Sequence, residues 1–421
     1  MSTTTTGPAG AGKVQVAKPT IASHVSDYIG RVRGGDIGSL AAVAGLIVLC
    51  LVFGIARPDT FISALNFSNL FSQGAAVIFI AMGLVFVLLL GEIDLSAGYT
   101  SGVAGAVAAV LLTKHGWSWF TAVPAALIVG LLIGFLLGFL VSKIGIPSFV
   151  VTLAAFLSFQ GVLLVLLSGG TNISIQDSFV LSLANKNMPV VVSWVLAVVG
   201  IAAYAATQFV KLRGRASRGL ATDPLGIVLA RIVGLALVVL IPTAILSQER
   251  AINPAINSLK GVPIVVPILA VFAVIWTFIL GRTTYGRHVY AVGGNAEAAR
   301  RAGIPVDRIR ISVFVIGSFM AAIGGIVAAS RASSVDPRSG GSNVLLYAVA
   351  AAVIGGTSLF GGKGRVIDAV LGGTVIAVID NGMGLMNFSP GTKFIFTGAV
   401  LLLAAGVDAL SRRRAAATGN R

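Results

Sequence analysis

Uncharged apolar runs of about twenty residues recur along nearly the whole chain, broken by short polar or charged stretches. A helix rises 1.5 Å per residue, so about twenty residues cross the roughly 30 Å hydrocarbon core of a bilayer. Twelve segments fit this rule: residues 40–56, 74–91, 96–113, 120–142, 146–168, 189–210, 226–247, 262–281, 311–329, 344–360, 366–383 and 393–410. They predict an all-α polytopic membrane protein with ten to twelve transmembrane or re-entrant helices in one bundle. A water-soluble fold has no way to bury so many all-apolar segments. The transmembrane unit is expected over residues 40–410, between a flexible N-terminal tail, 1–39, and a basic C-terminal tail, 411–421. The tail opens "MSTTTTGPAGAGKVQVAKPT", too poor in apolar residues to fold alone, and the first apolar run starts too far in for an ordinary cleaved signal peptide. Ser2 after Met1 also removes the N-myristoylation pattern.

The pattern breaks most sharply at "VLLLGEIDLSAGYTSG", residues 87–102, where Glu92 and Asp94 stand between two apolar runs. A carboxylate at the centre of a spanning helix costs about 2.5–3.5 kcal/mol, so one continuous helix would carry about 5–7 kcal/mol for the pair. A junction is predicted instead, with Gly91 ending one helix and Asp94 or Ser96 capping the next. Residues 74–113 are then either two spans or a re-entrant hairpin, which have the same charge parity. Two glycine series lie at helix-packing spacing: Gly130, Gly134 and Gly138, and Gly98, Gly102 and Gly105. Such faces let backbones approach closely in lipid, within one bundle or at a dimer seam.

Composition agrees with a membrane protein: 56% of the 421 residues are apolar and 10% charged, against roughly 25% charged in ordinary soluble domains. The net charge of +16 would suit a nucleic-acid binder, but its distribution does not. With the N-terminal tail inside and the segments alternating, inside stretches hold 21 of the 30 Lys and Arg residues and outside loops hold 7. That asymmetry is the mark of membrane orientation and predicts both termini in the cytoplasm. Trp117, Trp119 and Trp194 fall at the predicted outer boundary and Trp276 toward the inner one. A single cysteine, Cys50, excludes an intrachain disulfide, and His24, His115 and His288 are too scattered in sequence to suggest a metal site.

The richest predicted cytoplasmic loop is "GRTTYGRHVYAVGGNAEAARRAGIPVDRIR", residues 281–310. Asn295 suits the N-cap of a short helix, 296–302, with Glu297 in its first turn and i,i+4 from Arg301. Gly303 suits the left-handed position after that helix, and Pro305 stops it. Seven residues are marginal as an isolated helix, so packing must support them. Two uses fit: a surface helix whose neighbouring arginines, Arg300, Arg301, Arg308 and Arg310, face anionic headgroups, or a docking helix whose small residues enter a groove on a partner.

"EAARRAG", residues 297–303, resembles the EAA–three residues–Gly pattern of ABC-importer permeases. "YAVGGNAEAARRAGIPVDRIR" and "GEIDLSAG" resemble the matching stretches of the ribose/xylose-type sugar permeases, and "VIGGTSLFGGKGRVIDAVLG" is a third matching block. The blocks keep their order over residues 74–410. The extra apolar segment 226–247, its basic neighbour 211–225 and Glu92 look most like the xylose branch. The resemblance implies a permease homodimer in the bacterial inner membrane. A cytoplasmic ATPase subunit would carry ATP and Mg, and an extracytoplasmic sugar-binding protein would dock on the other face. On that reading Asn295, Glu297, Ala298, Ala299, Gly303 and Lys363 couple to the ATPase. The chain has no phosphate-binding loop of its own: "GGKGR", residues 361–365, lacks the spacing and the hydroxyl residue after Lys.

A neutral sugar needs a path lined by hydroxyls, amides and exposed backbone rather than by counter-ions. Asp94, Ser96, Thr100, Gln160, Asn343 and Asn381 are the candidates, each of which also suits an ordinary helix–helix hydrogen bond. No nucleophile–base set accompanies the two acids, so no covalent catalysis and no bound cofactor are expected of this chain. An ion-coupled secondary carrier that uses those acids is the competing reading, and another sugar, a polyol or an autoinducer the competing cargo.

Overall fold

The computed structural model describes residue 30 and residues 39–417 apart from 221, 252, 256 and 257. The expected N-terminal tail lies almost wholly outside the described residues, as do the last four residues of the basic tail. Each predicted apolar segment contains a helix, although the helix in segment 344–360 stops at Gly355. In chain order the helices are α1 (Leu40–Ala56), the single turn α2 (Pro58–Phe61), α3 (Ala64–Leu89), α4 (Ala97–Thr113) and α5 (Trp119–Phe139), which runs on through a π-turn to Ile144. Next come α6 (Ser148–Leu166), α7 (Ser178–Asn185), α8 (Val190–Ala216), α9 (Leu225–Leu246) and α10 (Val265–Arg282). The short α11 (Thr284–Gly294) and α12 (Ala296–Arg301) precede α13 (Val306–Ala332), α14 (Ser342–Gly355), α15 (Val366–Leu385) and α16 (Pro390–Ala417). Strands β1 (Ile173–Ser174) and β2 (Ser334–Val335) pair antiparallel.

Eight of these helices are long and apolar enough to cross a membrane by length and composition, and α1, α4, α14 and the Pro390–Gly406 part of α16 are shorter apolar helices. α3 and α13 form the centre of the bundle. Of α3's apolar window 78% is buried, against 6% for α9 at the periphery. The central contacts are backbone to backbone. Gly130 sits on Ser318 and Ala322 of α13, Gly134 on Phe314 and Val315, and Gly138 on Ile311. Gly83 meets Gly317, and Gly105 meets Gly325. Both glycine series are therefore spent inside the bundle rather than on a dimer seam.

Several helices outrun their apolar segments, for identifiable reasons. α3 starts ten residues before the hydropathy limit at 74 because its polar first turns are satisfied. Ser63 Oγ accepts from the Asn66 amide at 3.2 Å, and Asn66 and Asn381 exchange side-chain hydrogen bonds at 2.9 and 2.8 Å. α13 starts at Val306 rather than near Ile311, behind Pro305 and with Asp307 in its first turn. α11 was not expected as a separate helix. Its Tyr285, Val289 and Val292 face the bundle at the i, i+4, i+7 spacing that its polar residues mask.

Residues 74–113 lie in two helices that run in opposite directions between the two ends of the bundle, rather than in a hairpin that turns back midway. Ile93 donates its amide to Ser148 Oγ at the start of α6, whereas Thr113 Oγ1 donates to the Ser174 carbonyl beyond the far end of α6. α4 thus joins opposite ends of the bundle, although its 17 residues span only about 25 Å.

At the end of the bundle opposite α12, Glu249 organises the connection from α9 to α10. It accepts from the amides of Arg250, Ala251 and Leu259 and from Ser258 Oγ. These donors hold its carboxyl at about 2, well below the ordinary 4.5.

Three outcomes follow. Gly134→Leu drives its side chain into the α13 backbone and should cost about 1–3 kcal/mol or more in thermal or chemical unfolding of the purified chain. Gly161→Ala, with open space around its Cβ position, should be neutral or stabilising by about 0.5–1 kcal/mol in the same assay. The Glu249 carboxylate stabilises its loop fully above the unfolded value near 4.5, and that contribution disappears as pH falls toward 2. A spin label at Ala255 should gain mobility over that acid window in the wild type, and Glu249→Gln should show the acid-state mobility already at pH 7.

Candidate functional site

Three stretches far apart in sequence meet at one end of the bundle. The first is the junction after α3. Gly91 has φ +72, and the Glu92 amide donates to the Val87 carbonyl at 3.3 Å while that of Gly91 donates to Leu88. This is the doubly bonded left-handed helix stop that glycine permits. Asp94 then turns the chain into α4. Its Oδ1 accepts from both the amide and the hydroxyl of Ser96, at 2.8 and 2.6 Å, so Asp94 supplies the cap and the Ser96 side chain does not. Both residues are buried.

The second stretch is α11–α12. Asn295 Oδ1 accepts from the Ala298 amide at 2.9 Å, the N-cap read from sequence. Glu297 Oε1 pairs with Arg301 at 3.2 Å and Oε2 with Arg300 at 3.3 Å, along the exposed face of the helix. The Ile304 amide donates to Ala299 and that of Gly303, at φ +82, to Arg300, so α12 stops as α3 does. Ala298 is exposed, but Ala299 is buried and fastens the helix to the bundle. The two alanines therefore lie on opposite faces of α12, which shows its neighbours only the inner side. α11 below it is held by Tyr285, whose hydroxyl contacts Ser312 Oγ at 2.8 Å and whose burial pushes it up to about 12, so the phenol stays protonated.

The third stretch is the turn after α14, residues 356–365. The Gly362 amide donates to the Leu89 carbonyl at the end of α3, at 2.8 Å, and the Tyr290 hydroxyl of α11 donates to the Gly364 carbonyl at 2.7 Å. Gly293 lies against the backbone of both Leu89 and Gly362. Lys363 is exposed on this turn, and its carbonyl accepts from the Ser358 amide. Glu92 and Arg310 close the assembly across the junction with an ion pair of 3.1 Å, and Lys143 pairs with Asp307 at 2.7 Å beside it. The face is therefore one interlocked surface from which Glu297, Ala298, Arg300 and Lys363 project.

The six path candidates do not gather into one site. Asp94, Ser96 and Thr100 lie together, buried at the start of α4, and Asp94 Oδ2 and Thr100 Oγ1 have no hydrogen-bond partner among the described residues. Gln160 points outward from α6 and Asn343 is exposed at the start of α14. Asn381 is bound to Asn66 and Gln73, as Asp380 is to Gln73 and Lys393, so these groups clamp helices together.

A cavity that the candidate list missed lies between α4, α13 and the non-helical segment 336–341. It holds about 250 Å³ and is lined by Ser101, Gly102, Gly105, Gly325, Asp336 and Ser339, among others. The segment runs from β2, beside the far end of α4, to Gly98 near its start, where the Gly340 carbonyl abuts Gly98. Irregular backbone at that depth is tolerated where it lines a cavity. The signal was present in the shortness of the apolar stretch before Gly355, which makes α14 only about 21 Å long.

The Glu92–Arg310 pair is partly buried, so it should couple more strongly than a surface pair. A double-mutant cycle of Glu92→Gln and Arg310→Gln, read by unfolding of the purified chain, should give about 1–2 kcal/mol of coupling. A coupling near zero would separate the junction from the α13 start energetically.

Comparison with known proteins follows the same lines. Residues 66–405 match the family described as branched-chain amino acid transport system / permease component. The chain is 36% identical over 402 residues to the xylose transport system permease protein of Escherichia coli (strain K12), covering 96% of this chain and 98% of that one. It is 32% identical over 369 residues to the xylose transport system permease protein of Haemophilus influenzae, covering 88% and 95%. It is 29% identical over 366 residues to the ribose import permease protein of the same organism, covering 86% and 90%. No solved structure matches the chain. With a family match over most of its length and full-length similarity to sugar permeases, the chain belongs to the ribose/xylose-type family of ABC-transporter permeases.

Proposed function

We propose that this chain is the membrane subunit of an ABC importer that carries a pentose, xylose foremost, from an extracytoplasmic binding protein into the cytoplasm. The observation that carries the reading is the convergence of the three motif stretches on one face, with the capped α12 projecting from it. A helix this short transmits force only if it is fixed at both ends. Asn295 fixes the start, Gly303 the end and Ala299 the underside. The exposed Glu297, Ala298 and Lys363 would meet the ATPase subunit, which would hold ATP and Mg.

Force applied to α12 has a direct route into the bundle. It passes through α11 to the Gly362 turn and the end of α3, and through Arg310 to Glu92 and the start of α4. Those elements border the cavity beside segment 336–341, where Ser101, Ser339 and glycine backbone offer hydrogen-bonding groups to a sugar among largely apolar walls. In this arrangement the α12 face is cytoplasmic, both termini are cytoplasmic and two copies of the chain form the pathway, in the inner membrane. Of the acids that an ion-coupled carrier would use, Glu92 is paired with Arg310, and Asp94 Oδ1 is taken up by Ser96 in capping α4.

Proteoliposomes holding this chain, its ATPase partner and its binding protein should accumulate labelled xylose only with ATP inside the compartment that the ATPase faces. Uptake by the chain alone, driven by a proton or sodium gradient, would overturn the reading. Combined Glu297→Ala and Gly303→Val should reduce co-purification with the ATPase at least tenfold while the permease still unfolds cooperatively, because α12 loses its stop and one exposed contact. Retained association would remove α12 as the docking element.

A further inference from the structure

At the α12 end of the bundle, but outside the interlocked face, lies a second cleft, formed by α8, α9 and the end of α10. Its volume is about 700 Å³. Lys211, Arg215, Arg218, Arg231 and Arg282 line it, with Asp223 the one acid among its lining residues. Asp223 is engaged by Arg231 at 2.8 Å and Arg215 at 3.7 Å. Lys211, Arg218 and Arg282 have no carboxylate partner among the described residues. Gln208, buried on the wall of the cleft, makes no side-chain hydrogen bond among the described residues. Nothing in the coupling route or the sugar path uses these groups.

So many cations converging on one cleft repel one another, and the repulsion is relieved when an anion enters. Arginine and lysine together present the forked and point donors that phosphate oxygens accept. The walls next to the cations are apolar and outward-facing: Phe209 and Val210 on α8, Leu225 and Leu229 on α9 are exposed. α9 buries only 6% of its apolar window, so this hairpin leaves an apolar face uncovered by the rest of the chain's described residues. A ligand with a phosphate head and hydrocarbon tails matches both the cleft and its rim, and basic pockets between spanning helices hold such headgroups.

We infer that the α8–α9 cleft is a binding site for the phosphate of an anionic phospholipid headgroup, with Lys211 and Arg282 as its principal unpaired cations and the acyl chains lying along α9. The cleft thereby fixes a hairpin that otherwise has little protein packing.

The test uses the purified full-length chain in detergent, titrated with phosphatidylglycerol and separately with phosphatidylcholine of the same acyl chains, with retained lipid read by native mass spectrometry. The wild type should retain phosphatidylglycerol in preference, and retention should fall as salt rises. Lys211→Gln with Arg282→Gln should weaken phosphatidylglycerol retention roughly thirtyfold, the ordinary effect of two interfacial cations, and leave phosphatidylcholine unchanged. Lys211→Arg with Arg282→Lys keeps the charge and should restore retention, which separates loss of the site from loss of the fold. Arg57→Gln with Lys186→Gln removes the same charge at the other end and should change nothing. Equal retention of the two lipids by the wild type, or full retention by the double glutamine variant, overturns the assignment. Displacement of the lipid by millimolar glycerol 3-phosphate would assign the cleft to a soluble phosphate ester and overturn the lipid occupant.

Discussion

The close approach of α13 to its neighbours is the constraint on which the rest of the bundle depends. Lipid offers no hydrophobic driving force between helices, so association rests on van der Waals contact and hydrogen bonds made at short range. Here glycine backbones on α3, α4 and α5 lie directly against α13, with Gly317 and Gly325 of α13 answering Gly83 and Gly105. The result is a dense centre of α3, α4, α13 and α15, around which α8, α9 and α10 are loosely attached. A helix so tightly gripped moves as a body with its partners rather than bending among them.

That rigidity gives the α12 face its meaning. α13 starts three residues after Gly303, and its first turns carry Asp307 and Arg310, which reach Lys143 and Glu92. The start of α13 is thereby tied to the ends of α3 and α5 and to the junction before α4. The two glycine stops, at Gly91 and Gly303, turn the chain within one residue each, so neither connection has slack. Asp94 and Ser96 are part of this mechanical system. Their mutual hydrogen bonds shape the junction, and Asp94 is its cap rather than a reactive acid.

The cap and stop of α12 were legible from Asn295, Glu297 and Gly303 because capping chemistry is local: it needs only a few consecutive residues and their dihedral preferences. The breaks at Gly91 and Asp94 were legible for the same reason, with the added cost of charge in lipid. Less visible was the extent of α3. Asn66 and Gln73 look like loop residues until Asn381 and Asp380, more than three hundred positions away, supply their partners. Asn381 suits both a sugar path and a helix–helix hydrogen bond in sequence, and the fold gives it the latter. Ala299 and Ala298 are alike in sequence, and only the packing of α12 makes one an anchor and the other a contact.

By itself the sequence determined the class of the protein, the order of its apolar segments, and the helix stops at Gly91 and Gly303. These follow from the energetics of single segments in lipid and from local backbone chemistry. Tertiary structure alone decided that the three motif stretches form one surface, and that Glu92 is answered by Arg310. It also decided that segment 336–341 descends beside α4 to make a cavity, and that five cations from α8, the turn after it, α9 and α10 share one cleft. Each of these depends on which helices neighbour one another, and neighbourhood in a bundle is set by the summed packing of all its faces, which no single segment encodes.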